Sequence, residues 1–129
     1  PSLLAGVARQ TGGYGWHFKM ALEVLQHLDA ARTAGAHGLT GPELTQALRI
    51  DSLQLEPALD TLLALDWVGQ LQESDDTTPQ RYVLLADPDH TPLAPLLQNL
   101  LLPHSRSVSN LWEKAQFRTL SVRDALLKQ

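Results

Sequence analysis

The stretch from Leu39 to Leu85 constrains the chain more than any other, because it holds, in order, two helix signatures, a turn between them and two strand-like runs. Thr40-Gly41-Pro42-Glu43 reads as a helix start. Thr caps the first turn, Pro sits where no amide partner is lost, and Glu occupies the capping-box position. Leu44, Ala47 and Leu48 then give one short apolar face. Ile50-Asp51-Ser52 breaks that pattern, and Leu55, Ala58, Leu59, Leu62 and Leu65 recur at helical spacing in a second helix, with Pro57 tolerated near its start. Trp67 leads into Val68–Leu71, and Tyr82–Leu85 is a second β-prone run; the polar segment Glu73-Ser74-Asp75-Asp76-Thr77-Thr78-Pro79 between them reads as loop. Helix, turn, helix and hairpin is the order of a winged helix-turn-helix.

The flanks extend this motif with helices. From Trp16 to about Ala34, Met20, Ala21, Val24, Leu25, Leu28 and Ala31 mark an amphipathic helix that Gly35 and Gly38 end, with His27 on its polar side. The expected core is Val24, Leu25, Leu28, Leu44, Leu48, Leu59, Leu62 and Leu65. Ahead of it lie a short apolar patch, Leu3, Leu4, Val7 and Ala8, and three glycines, Gly12, Gly13 and Gly15, that read as a flexible joint. Tyr14 and Trp16 fit either core packing or a bilayer interface. After the hairpin, Asp87-Pro88-Asp89-His90-Thr91-Pro92 is a turn. Leu93, Leu96, Leu97, Leu100, Leu101 and Leu102 form a very apolar helix closed by Pro103, which must be buried or paired. Ser105 to Gln116 reads as a further helix with Val108, Leu111, Trp112 and Ala115 inward, and Ser121 caps a last short one through Leu127. The fold class is therefore mainly α: a winged helix-turn-helix with a small β-hairpin wing and additional C-terminal helices. Residues 1–15 are expected to be a linker, 16–86 the winged-helix domain, and 87–129 a helical extension packed on it.

Charge is distributed unevenly along the 129 residues. Residues 1–42 carry three basic against two acidic groups, residues 43–89 two against ten, and residues 104–129 five against two. The winged-helix stretch is thus the acidic part of a chain whose formal net charge is −4; such runs are most simply solvated faces. There is no cysteine, which removes disulfides, thiolate metal sites and a Cys nucleophile. No run approaches the roughly 20 apolar residues that span a bilayer, and no signal-peptide pattern is visible, so the piece itself is expected to be soluble. It begins with Pro1, as expected of a piece of a longer protein.

No chemistry-bearing constellation emerges. His17, His27, His37, His90 and His104 are not spaced from one another by three or four residues, and HExxH is absent. Asp87, Asp89 and His90 offer at most a weak divalent-ion site in a segment that turn chemistry already explains. There is no GxSxG elbow, and Gly12-Gly13-Tyr14-Gly15 lacks the Lys-Ser/Thr of a phosphate loop. The sequence reading assigns no catalytic, cofactor-binding or metal-binding residue and no small-molecule ligand; an enzyme is not expected. DNA binding through the second motif helix needs Lys or Arg for phosphates and Arg, Asn or Gln for base edges. Its outward positions are Gln54, Glu56, Pro57, Asp60, Thr61 and Ala64, and no basic residue lies between Arg49 and Arg81. Acidic groups there oppose counterion-release binding. Arg81 and the basic C-terminal helices are the only route left to nucleic acid.

Gly13-Tyr14-Gly15-Trp16, Leu53-Gln54-Leu55-Glu56-Pro57, Ala64-Leu65-Asp66-Trp67-Val68-Gly69, Asp87-Pro88 and Leu120-Ser121-Val122-Arg123-Asp124 together resemble the cytoplasmic C-terminal extension of the YihY/BrkB family of bacterial inner-membrane proteins, often labelled ribonuclease BN-like. The resemblance covers most of the chain. It implies a membrane-embedded parent domain N-terminal to this piece and a location on the cytoplasmic face of the inner membrane. Transport-like and tRNA-processing labels attach to the family, but no paired histidines, carboxylate set or basic RNA channel in this piece supports a ribonuclease. The expected role is a non-catalytic interaction or regulatory domain, with a protein partner or self-association and no specific nucleic acid. Alternatives are a DNA-binding winged-helix transcription regulator and an accessory domain of a tRNA-processing ribonuclease. The candidate contact residues are Leu93, Leu97 and Leu101 on the leucine-rich helix, with Glu56 and Asp60 on the acidic one; burial of the leucine-rich helix is the competing expectation.

Overall fold

In the computed structural model, residues 9–71 and 79–128 are described. The apolar patch Leu3, Leu4, Val7 and Ala8 and the acidic loop Glu73-Ser74-Asp75-Asp76 lie outside the described residues. The elements are α1 (Trp16–Thr33), β1 (Leu39–Thr40), α2 (Gly41–Leu48), α3 (Ser52–Ala64), β2 (Val68–Leu71), β3 (Arg81–Leu84), α4 (Ala94–Leu100), α5 (Ser109–Ala115) and α6 (Val122–Ala125). Two single 3-10 turns, Arg106–Val108 and Phe117–Thr119, flank α5.

The helix starts follow from local chemistry. Thr40 Oγ1 accepts from the Glu43 amide and Glu43 Oε1 accepts from the Thr40 amide at 2.8 Å, closing the expected capping box of α2. That contact holds the Glu43 carboxyl below its usual range. A second box, reciprocal between Asp51 and Gln54, opens α3, so the break after α2 is itself a helix signal. Pro57 lies inside α3, at its sixth residue, where its ring removes one ladder bond without ending the helix. Ser121 and Asp124 form the box that opens α6.

β2 and β3 pair antiparallel in the register Val68↔Leu84 to Leu71↔Arg81, the expected hairpin. The second strand starts one residue earlier than the periodicity suggests, and Leu85 instead donates its amide to the Trp67 carbonyl at 2.8 Å. A third strand adds to the expected hairpin: β1, which ends on the Thr40 cap of α2, pairs with β3, Leu39 opposite Tyr82, giving the order β1-β3-β2. Gly38 makes this possible. Its φ is +91° and a Cβ there would stand 2.2 Å from the Tyr82 carbonyl oxygen, so only glycine fits.

One core runs through the described residues. Met20, Val24, Leu25 and Leu28 of α1, Leu44 and Leu48 of α2, and Leu55, Leu59 and Leu62 of α3 are buried together with Val68 and Leu84 of the hairpin. Each such side chain stabilises the fold by about 1.5–3 kcal/mol through burial. Leu65, expected in this set, is only half-buried at the end of α3. Leu93, Leu96, Leu97, Trp112, Val122 and Leu126 belong to the same cluster.

The C-terminal extension departs most from the sequence reading. The leucine-rich helix is shorter than expected, since Pro103 disfavours helical backbone at Leu102, and α4 ends at Leu100. Leu111 and Ala115 face outward rather than inward; Trp112 alone of α5 is deeply buried, edge-on to His104 and Phe117. The last helix ends at Ala125, leaving Leu127 exposed. Backbone bonds knit the 87–93 turn to the chain end: Leu93 donates to Leu120, Val122 to Thr91 and Arg123 to Pro88. Above this seam Arg123 donates to Asp29 Oδ2 at 2.8 Å and to Asp89 Oδ1 at 2.9 Å. Asp29 is 3% exposed, and with Asp89 it pushes the Arg123 pKa up. Sequence reading missed this ion pair. The signal was a carboxylate in the row Ala21, Leu25, Asp29, on the core face of α1.

At the other end, Arg9 grips Glu23 through two bonds of 2.7 and 2.6 Å, donates to the Leu48 carbonyl at 2.9 Å and lies over the Trp16 ring. The guanidinium holds the Glu23 carboxyl below its usual range. Tyr14 is fully exposed and Trp16 packs partly against the core.

Candidate interaction surface

Along α3 two rows of side chains run side by side. Leu55, Leu59 and Leu63 recur at i+4, and Ser52, Glu56 and Asp60 form the adjoining row. The first row turns toward the core, with Leu63 half-buried at its end; Glu56 and Asp60 stand in solvent. Because the capping box of α2 fixes where Pro42 and Thr45 lie, and the hairpin register places Gln70 opposite Tyr82, these residues wall a groove along α3. The groove measures about 550 Å³ and is lined by Gly41, Pro42, Thr45 and the two α3 rows on one side, and by Gln70 and Tyr82 on the other. Gln70 Nε2 donates to the Tyr82 hydroxyl at 3.4 Å, spanning the wing strands. The floor is apolar and the rim acidic, with no basic residue in the lining.

The expected contact residues therefore separate. Glu56 and Asp60 are exposed and share this groove. Leu93 and Leu97 are 4% and 6% exposed, inside the core; the apolar run is largely buried, so the expectation that they present a contact surface is corrected. Leu101 is 48% exposed, but it lies near Gly15 at the start of α1 and does not line the groove. The groove walls, Pro42, Thr45, Gln70 and Tyr82, were missed because they come from three elements whose proximity only the folded hairpin creates.

Elsewhere the polar groups serve each other. His90 Nδ1 meets Asp87 Oδ2 at 2.7 Å, which raises the histidine pKa and lowers that of the carboxyl. Asp89, the third member of the weak ion site, is bonded to Arg123. Among the described residues no three His, Cys, Asp or Glu are placed to hold a metal ion. Arg81, one of the two basic groups flanking the acidic run, donates to the Gly38 carbonyl at 3.2 Å and faces Glu43 at 3.9 Å.

Comparison with known proteins completes the picture. No family model matches the chain. It is 49% identical over 126 residues to a UPF0761 membrane protein of Albidiferax ferrireducens and 50% identical over 132 residues to one of Verminephrobacter eiseniae. These alignments cover 98% and 99% of the chain but only 30% and 32% of the relatives. Among the described residues no helix is long and apolar enough to cross a membrane. Among solved structures, a proposed transcriptional regulator from Lactobacillus plantarum superposes with a TM-score of 0.67 at 15% identity, covering 86% of this chain and 87% of that one. CymR, the global cysteine regulator of B. subtilis, superposes at 0.55 and 14% identity, over 91% and 95% of the two chains. The chain is thus a winged helix that matches, over nearly its whole length, a stretch of about 30% of a UPF0761 membrane protein.

Proposed function

We propose that the chain is a non-catalytic interaction or regulatory domain of a YihY/BrkB-type inner-membrane protein, held at the cytoplasmic face and reading protein surfaces rather than nucleic acid. In this reading residues 1–15 lead from the membrane-embedded part, residues 16–86 form the winged unit and residues 87–129 extend it. The observation that carries it is the exposed face of α3, where Glu56 and Asp60 rim an apolar groove and no Lys or Arg occurs between Arg49 and Arg81. A duplex or a tRNA brings a dense row of phosphates, and that face repels them. The relatives' description as membrane proteins supports the tether, and an acidic surface is repelled by anionic lipid as well, so α3 points away from the bilayer.

Fluorescence anisotropy with random duplex DNA and with tRNA at low salt tests the reading. Binding no tighter than that of an unrelated acidic protein is expected. Tight, steeply salt-dependent binding of the duplex would favour a transcription regulator, and of tRNA an accessory role in RNA processing; either result overturns the proposal.

A further inference from the structure

The groove on α3 has a counterpart on the same chain. On α5, Leu111 is 50% exposed, and Lys114 and Ala115, three and four positions on, are exposed beside it. Arg118 follows, its guanidinium over the Trp112 ring at 5.9 Å. Trp112 is 1% exposed and wedged edge-on against His104 and Phe117, so the platform beneath is firmly seated. The α5 surface is an apolar knob flanked by cations, and the α3 groove an apolar slot flanked by carboxylates. Glu113, the one acid on α5, lies two positions from Leu111 and therefore about 200° around the helix, off the knob.

The two surfaces do not meet within one chain, since the groove is lined by residues 41–82 alone and Leu111 stands in solvent. We infer that the occupant of the α3 groove is α5 of a second copy, with Leu111 entering between Leu59 and Tyr82 and Lys114 and Arg118 facing Glu56 and Asp60. The inference deepens the reading as an interaction domain and rests on it. Charge complementarity selects this partner: the charged residues that line the groove are Glu56 and Asp60, both acidic, and those beside the knob are Lys114 and Arg118, both basic. The contact joins unlike surfaces, so it is head-to-tail, and each copy can give a knob to one neighbour and a groove to another. A helix seated in a groove of this size buries little area, and the association is weak in free solution. Tethering copies in one membrane plane raises their effective concentration enough to populate it.

Sedimentation equilibrium of the 129-residue chain at low salt, from micromolar to millimolar protein, tests this with two complementary variants. Glu56→Lys/Asp60→Lys disables the groove and leaves the knob; Leu111→Ser/Lys114→Glu does the reverse. Each alone should lower the association constant about tenfold or more, the loss of roughly 1.4 kcal/mol, with an unchanged thermal melt. Mixed together they should form a one-to-one pair that grows no further, because one intact groove and one intact knob remain. Glu113→Lys, off the knob, should associate like wild type. A wild type that stays monomeric, variants that associate like wild type, or disabled variants that fail to pair when mixed would each overturn the inference. So would a monomeric chain whose groove instead takes a short peptide alternating Lys and Leu, which would assign the groove to some other basic segment. Nucleic-acid binding fails the domain's proposed role separately, so the two failures are told apart.

Discussion

The winged motif and the C-terminal extension share one core but are held in different ways. Residues 16–71 and 79–84 form three helices, whose apolar positions recur at helical spacing, and a three-stranded sheet, and their shared core is mostly leucine with Met20, Val24 and Val68. Residues 87–128 are short helices separated by single 3-10 turns; Leu93, Leu96, Leu97, Trp112 and Val122 are buried in the shared core, and a backbone seam and the Arg123 pair on Asp29 fix the register of the extension. The difference teaches that a chain can add a second layer to an existing core with little periodicity of its own, provided one directional polar contact fixes its position. A nonpolar contact tolerates sliding; a guanidinium bonded to a carboxylate does not.

Three substitutions sharpen or break that contrast. Leu62→Ala, at a fully buried core position of α3, should cost about 2–5 kcal/mol in chemical denaturation. Loss below about 1 kcal/mol would show that the motif is not held by its leucines. Arg123→Ala leaves the Asp29 carboxylate short of its main donor and should cost about 1–2 kcal/mol. The value sits low because Arg123 is 40% exposed and Arg32 still faces Asp29 at 3.9 Å. Here the informative readout is local: hydrogen exchange should quicken over residues 87–128 and stay unchanged in α3. Uniform quickening would mean that the extension has no separate attachment. Smallest is Thr40→Ala, which removes one bond of the α2 box and should cost about 0.5–2 kcal/mol. The other bond of the box, donated by the Thr40 backbone amide to Glu43 Oε1, survives the substitution and depresses the Glu43 pKa. Its contribution is present above the ordinary Glu range and lost as pH falls through the lowered value, in both proteins. The gap between the wild type and Thr40→Ala melts should therefore persist in acid while both melts fall.

The same contrast decides what could be read in advance. In the motif, the starts of α2 and α3 are written in the chain by a short polar residue and its partner three positions on, and the apolar spacing leaves one orientation for each helix. The hairpin follows because nothing else can be made of Val68–Leu71 and Arg81–Leu84 across a polar loop. In the extension those cues fail. Leu93, Leu96, Leu97, Leu100, Leu101 and Leu102 offer apolar groups on all sides, so spacing cannot tell the buried face from the exposed one, and Leu97 goes inward while Leu101 does not. Gln116 takes a left-handed φ of 56°, a stop usually given to glycine, which ends α5 without a recognisable signal. The groove was half legible: Glu56 and Asp60 stand out as exposed acids on a helix, whereas Pro42 and Tyr82 enter only through the pairing of distant strands.

Arg9 changes the mechanics of the chain's entry. Gly12, Gly13 and Gly15 all take positive φ and on their own would act as a swivel. Arg9 reaches past them to Glu23, Leu48 and Trp16, so the glycine loop is tied off at its base. A pull applied to the backbone at residue 9 is therefore shared through the Arg9 side chain between α1 and the end of α2, and is not carried by the glycine loop alone.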